Sequence, residues 1–432
     1  MTTLGFAVPL LLAACAAHAA DTYTCVDYSQ GPDGTSRRGA LWHLNDSGVA
    51  AGSFGGVAYT FAPGMGWQQT PPQPYPAVQF PSGNLGKAEW TWIAGINSSG
   101  TVIGGLESWD EWPWSNTWVG YEQSFVYTPT TGTLSALPPN GDWLNWTVST
   151  YGAQLPYASW QKLVLTEYEG INDDGLIVGS AVDGTNIETY DNGPEVAFVY
   201  NNVQAGLRGY PLGYTTLWPA QLQDGQPPYF TIAWDMNRAG LVAGGAIGQQ
   251  WPREGFIYNQ STQQYSWLTS DPTKNPMLVM IRSLNNSDPN GATNCPNSAS
   301  SCNRVVGWQS PWDPTTPPNT SWQSPGQFAV HPPHGYYADF DPVSGQFTER
   351  HEVNCNADIP SAIGWAFSGI NDSDVISGNW FDSNAVSHPL LAYPNLATPA
   401  SITSTGSFVF QTTVGTSTAP NFIDPPVAVG YD

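Results

Sequence analysis

The sequence predicts an all-β protein: a β-propeller of about six four-stranded blades, a seventh left open, with the long loops on one face. Three observations predict it. One short phrase recurs along the chain, an aromatic strand signature follows most copies, and the composition favours short strands over helices.

The phrase comes first, because repeats decide architecture before local propensity does. It reads Leu44-Asn45-Asp46-Ser47-Gly48 followed by Val49-Ala50-Ala51-Gly52, and returns at Ile96–Gly104, Ile171–Gly179, Met236–Gly244 and Ile370–Gly378. The fifth copy is interrupted: Leu284-Asn285-Asn286 is separated from Val305-Val306-Gly307 by an insert carrying Cys295 and Cys302. Asn accepts a backbone hydrogen bond two residues on and Gly supplies positive φ, so each copy predicts a tight hairpin between two strands.

A third strand is expected at each aromatic and β-branched signature. These are Phe125-Val126-Tyr127, Phe198-Val199-Tyr200 and Phe256-Ile257-Tyr258, with looser forms at Tyr59–Phe61, Phe328–Val330 and Leu390–Tyr393. A short polar turn such as 128–132 then leads to a fourth strand such as Thr133–Leu137. Six four-stranded units agree with a propeller whose sheets pack face to face. The C-terminal Val427-Ala428-Val429-Gly430 echoes the strand after the turn and is expected to complete a blade with an N-terminal strand near Tyr23 to Tyr28, sealing the ring.

Composition supports many turns and few helices. The 432 residues include 45 Gly and 38 Pro, and only 10% are charged. Lys and Arg total 11 against 34 Asp and Glu, a net charge of −23. That field repels phosphate backbones, so no nucleic-acid partner is expected.

Residues 1–20 read as a signal peptide and 21–432 as a single propeller domain. Phe6 to Ala17 is apolar but too short to span a bilayer, and Ala17-His18-Ala19 is an A-x-A cleavage pattern. Leu12-Ala13-Ala14-Cys15 also matches a lipobox, which would tether the protein through Cys15. The expected location is therefore secreted, outer-surface or periplasmic, with no transmembrane span and a monomeric state. Four further cysteines, Cys25, Cys295, Cys302 and Cys355, suit two disulfides in an oxidising compartment. The pairing favoured is Cys295–Cys302, a short local loop, with Cys25–Cys355 tying the chain start to its last third.

The phrase Ile-Asn-Asp-x-Gly-x-Val-x-Gly, followed by Ala197-Phe198-Val199-Tyr200, resembles the bacterial extracellular HAF repeats, named for a His-Ala-Phe tripeptide. No His-Ala-Phe occurs here. The resemblance covers most of residues 21–432 and implies an exported β-repeat protein; it transfers no catalytic residue.

Function is sought on the face where long connections gather, because successive hairpin turns alternate between the two faces of a blade. The tryptophans concentrate there. The expected substrate-binding set is Trp109, Trp112, Trp114, Trp118, Trp143, Trp146, Trp308 and Trp380. An indole offers a flat apolar face with one N–H donor, suited to stacking on a pyranose while carboxylates accept sugar hydroxyls. The expected partner is thus an extracellular polysaccharide or oligosaccharide. Glu107, Asp110, Glu111 and Asp142 stand among these rings and are the catalytic candidates if the protein is a glycoside hydrolase or polysaccharide lyase. A third alternative is a non-catalytic surface module for protein partners. His331-Pro332-Pro333-His334 with His351-Glu352 are read as loop residues, and no metal or cofactor is expected.

Overall fold

A computed structural model describes residues 22–395 apart from 32–37, 73–77, 80–84, 87–89, 112–117, 137–162, 184–194, 223–224, 226–227, 249–252, 269–276, 287–301 and 312–331. It is a six-bladed propeller in which every blade is an antiparallel four-stranded sheet. The innermost strands are Gly39–Leu44, Trp90–Ile96, Leu163–Ile171, Pro228–Met236, Met277–Leu284 and Gly364–Ile370, blades 1 to 6 in chain order. Each packs against the next, and the sixth against the first, around one axis.

The ring is sealed by the N-terminus. Tyr23–Asp27 is the fourth strand of blade 6, paired with Ser387–Pro394. The C-terminal echo at 427–430 lies outside the described residues, so the closure seen joins the N-terminal strand to the last described strand. Cys25 and Cys355 form the expected disulfide, tying that closing strand to the connection between blades 5 and 6. Cys302 is also disulfide-bonded, and Cys295 lies outside the described residues.

Among the described residues seven apolar clusters hold the blades together, two between blades 4 and 5 and one at each other interface. Between blades 3 and 4, for example, Val178, Val199 and Leu217 meet Ala233, Met236 and Val242. Between blades 6 and 1, Val375 and Leu391 meet Leu41 and Phe54. The alternation of strand side chains explains this: every blade buries both faces of its sheet against its two neighbours.

One correction concerns blade 5. Its third strand is His334–Asp341 rather than Phe328–Val330, which falls outside the described residues. The reason lies in a pairing rule the repeat obeys throughout. The last glycine of each phrase sits opposite a large residue of the third strand: Gly104 opposite Phe125, Gly179 opposite Phe198, Gly244 opposite Phe256 and Gly307 opposite Tyr336. Those glycines also abut the innermost strand. A Cβ on Gly104 would lie 2.0 Å from the Trp92 carbonyl oxygen, and one on Gly307 would lie 1.8 Å from that of Met280. The phrase therefore ends in Gly because a backbone carbonyl fills the space of a side chain.

Candidate functional site

The Asn-x-x-Gly turns all reach one mouth of the central channel, where each Asn does two things. Its Oδ1 accepts the backbone N–H groups two and four residues on; for Asn172 these are Asp174 at 3.1 Å and Leu176 at 2.9 Å. Its Nδ2 then donates to the carbonyl of the next blade's Asn. Asn45 reaches Asn97, Asn97 reaches Asn172, Asn172 reaches Asn237, Asn237 reaches Asn285, and Asn371 returns to Asn45, at 3.0–3.3 Å.

The sixth clasp uses a substitute. Asn285 donates to Asp374 Oδ1 at 3.2 Å, and Asp374 holds the positive-φ place that glycine fills in the other hairpins. In the interrupted fifth copy the Arg304 N–H donates to Asn285 Oδ1 at 2.7 Å, in place of the residue four positions on. The Arg304 guanidinium is buried and pairs with Asp339 at 2.8 Å and Asp374 at 3.2 Å. Two departures from the repeat thus compensate each other across one blade interface.

Outside this ring lies a second, formed by the residues after each Asn. Arg238 of blade 4 reaches over the mouth to Asp46 of blade 1 at 2.7 Å and also bonds Asp173. Burial and the nearby Asp372 carboxylate hold Asp46 above the usual carboxylate range, despite Arg238 and the Asp372 backbone N–H. Asp173 falls below it, because the Ser98 backbone N–H and Arg238 outweigh its burial. The polar groups at this mouth are thus committed to one another.

Inside the mouth is a throat. Each innermost strand carries a β-bulge three residues before its Asn, at Trp42, Ala94, Glu169, Trp234, Arg282 and Ser368. The next residue is Gly95, Gly170 and Gly369 in blades 2, 3 and 6. These glycines are in close contact: a Cβ on Gly170 would sit 2.6 Å from the Trp234 carbonyl oxygen. In blades 1, 4 and 5 the same place holds His43, Asp235 and Ser283. His43 Nε2 lies 3.0 Å from Asp235 Oδ1, and Ser283 Oγ donates to Asp235 Oδ2. Asp235 also accepts the backbone N–H of Met236 and Leu284. Ser283 is bonded to the acid and not to the histidine, so this is no activated nucleophile. Sequence reading missed all three residues, although they stand exactly two before Asn in aligned copies.

The opposite face carries the long connections. There the second and third strands of blade 2, Val102–Glu111 and Trp118–Thr128, form the longest hairpin. The innermost strand stops pairing at Glu107, while 108–111 stay paired to 118–121, so the hairpin runs on beyond its own blade by about 13 Å. The sequence reading placed Trp109, Asp110, Glu111 and Trp118 in a loop; they belong to this hairpin, with Trp118 paired to Glu111 and Glu107 to Glu122. Trp112 and Trp114, between its strands, and Asp142, Trp143 and Trp146 lie outside the described residues. Trp308 and Trp380 also occupy strands rather than loops. Trp308 packs on the cluster of Ile232, Trp234 and Met280. Trp380 is 6% exposed, stacks on His388 and donates its N–H to Asp27. His334 is paired with Glu352 at 2.8 Å, and His331 is outside the described residues.

No family model and no curated protein matches the chain. Similarity to solved structures is confined to other propellers of low identity. A six-bladed fungal lectin from Aleuria aurantia, titled for its fucose recognition, is 10% identical with a TM-score of 0.36, over 88% of this chain and 97% of that one. TolB from Acinetobacter baumannii is 10% identical with a TM-score of 0.36, over 74% of this chain and 56% of that one, so the match spans just over half of TolB. A putative exo-β-1,3-galactanase from Bifidobacterium bifidum is 10% identical with a TM-score of 0.31, over 74% and 93% respectively. The fold rests on this chain's own six sheets. The class they define, with the Cys25–Cys355 bond, is a disulfide-tied propeller suited to an oxidising compartment. Among the described residues no helix is long and apolar enough to cross a membrane.

Proposed function

We propose that this is an exported carbohydrate-binding propeller that recognises an extracellular polysaccharide on its long-connection face. The observation that carries the reading is the blade 2 hairpin, which extends past its blade and bears Trp109, Asp110, Glu111 and Trp118 in that extension. The opposite mouth is occupied by its own Asn clasps and by Arg238, which favours the hairpin side as the ligand surface. The signal-like segment at 1–20 and the likeness to HAF repeats agree with export.

Affinity gels containing neutral and acidic polysaccharides test this. Retardation by at least one polymer is expected, and the paired change Trp109→Ala with Trp118→Ala should weaken it about tenfold or more. Absence of retardation by every polymer, or retardation indifferent to the paired change, refutes it. New reducing ends in the same assay would shift the reading to a hydrolase.

A further inference from the structure

The bulge ring contains a buried cation, Arg282, with no carboxylate partner among the described residues. Arg282 is 8% exposed, and its buried Nη1 has no hydrogen-bond partner among the described residues. Its guanidinium carbon lies 3.7 Å from the centroid of the Trp234 ring. Trp234 is 5% exposed, and its indole N–H also has no hydrogen-bond partner among the described residues. The Gly245 backbone lies beside that N–H: a Cβ there would be in ordinary van der Waals contact with Met280 Sδ at 3.5 Å and Trp234 Nε1 at 3.6 Å.

Contrast with Arg304 gives the signal its weight. That buried guanidinium is met by two carboxylates and a tyrosine hydroxyl. A guanidinium buried without an anion is costly, and buried donors in native proteins find partners. The carboxylate of the bulge ring, Glu169, lies two blades away from Arg282. Position along the strand sets the direction of access. Arg282 and Trp234 precede the His43–Asp235–Ser283 throat, so they lie on its long-connection side, and the Asn clasps close the other side.

We infer that Arg282 and Trp234 form a subsite for a carboxylate, the terminal uronate of an otherwise neutral glycan. This rests on the polysaccharide reading above. A planar carboxylate takes two parallel N–H bonds from guanidinium, and Trp234 Nε1 adds a third donor. One acidic residue at a chain end suits the site, because the net charge of −23 opposes a polyanion.

The test compares a glucuronate-terminated oligosaccharide with its glucose-terminated counterpart by calorimetry. Wild type should bind the acid at least about tenfold more tightly. Arg282→Gln should abolish that preference and Arg282→Lys should keep part of it. Trp234→Phe, which retains an aromatic face, should reduce it, and serves if Arg282→Gln does not fold. Equal affinities in wild type, or a preference that survives Arg282→Gln or, where that variant does not fold, Trp234→Phe, overturns the subsite. If neither oligosaccharide binds, the polysaccharide reading fails, and the subsite is then judged alone by titrating glucuronate into ¹⁵N-tryptophan-labelled protein. A saturable shift of the Trp234 indole resonance, absent with glucose, upholds a carboxylate site; no shift overturns it.

Discussion

His43 of blade 1 and Asp235 of blade 4 stand on opposite sides of the propeller axis and meet at 3.0 Å, both buried. A contact between opposed blades fixes the diameter of the throat in a way that neighbour packing alone does not. It also makes stability depend on pH. Burial pulls His43 down, but the Asp235 carboxylate outweighs it, leaving His43 above its ordinary 6.5. Burial pulls Asp235 up, but His43, Ser283 and the Met236 N–H outweigh it, leaving Asp235 below 3.8.

The signs follow from linkage. A histidine raised on folding stabilises fully below its unfolded value near 6.5 and loses that contribution as pH rises through its folded value. An aspartate lowered on folding stabilises above its unfolded value near 3.8 and loses that contribution as pH falls. Urea unfolding should therefore show the pair's contribution largest between about pH 4 and pH 6.5, declining on both sides. Asp235→Asn should lower stability by about 3–5 kcal/mol within that window and flatten the alkaline decline. An unchanged slope in the variant would show that the pair is not the titrating element.

Asn172 carries three bonds from one buried amide: two N–H groups received within its own turn and one donated to Asn237. Asn172→Ala should cost about 2–4 kcal/mol by leaving those partners unsatisfied. Asn172→Ser, which can keep a turn acceptor but is too short for the clasp, should fall between wild type and Ala. The measurement is the chemical denaturation midpoint of the three proteins. Equal midpoints for Ser and wild type would mean that the clasp between blades contributes nothing.

Two glycines of one phrase should respond oppositely in degree. Gly104→Ala places a methyl 2.0 Å from the Trp92 carbonyl oxygen, so the sheet must separate, and soluble folded protein should be lost. Gly48 has positive φ, +77°, with nothing near its missing Cβ, so Gly48→Ala should cost only about 1–2 kcal/mol. Circular dichroism melts of both variants check the ranking.

The blades were legible because hairpins are local: Asn and Gly at fixed spacing specify a turn wherever they occur. Blade number and strand order followed from that, while the Cys25–Cys355 pairing came from the even cysteine count. The clasps were not legible, since nothing in Asn172 tells its amide which carbonyl, 65 residues away, it will find. Arg304 shows the same limit, because its partners come from two other strands and the blade 6 hairpin turn. The throat differs. His43, Asp235 and Ser283 break a glycine pattern seen at Gly95, Gly170 and Gly369, so alignment of the copies already marked them. Their mutual contact needed the ring to be closed. The density of Trp, Asp and Glu around Trp109, Asp110, Glu111 and Trp118 was read as loop. At 108–111 cross-strand pairing with 118–121 overrode that signal.

The closing strand is held by its ladder to Ser387–Pro394 and by the Cys25–Cys355 bond, which spans 330 residues. Cross-linking so long a loop removes much of the unfolded chain's entropy, so reduction should cost about 3–5 kcal/mol. Tyr23 adds a second tether, since its hydroxyl accepts from Arg304 Nη1 at 3.2 Å within the Asp339–Asp374 network. Reduced protein should therefore stay folded at room temperature yet release the closing strand more often than oxidised protein. Limited proteolysis with and without dithiothreitol reads this directly: cleavage just after Asp27 should accelerate several-fold on reduction. Combining Cys25→Ser with Tyr23→Phe should accelerate it further, because the strand then loses both the disulfide and the bond to Arg304. Cleavage rates indifferent to both changes would show that the ladder alone seals the ring.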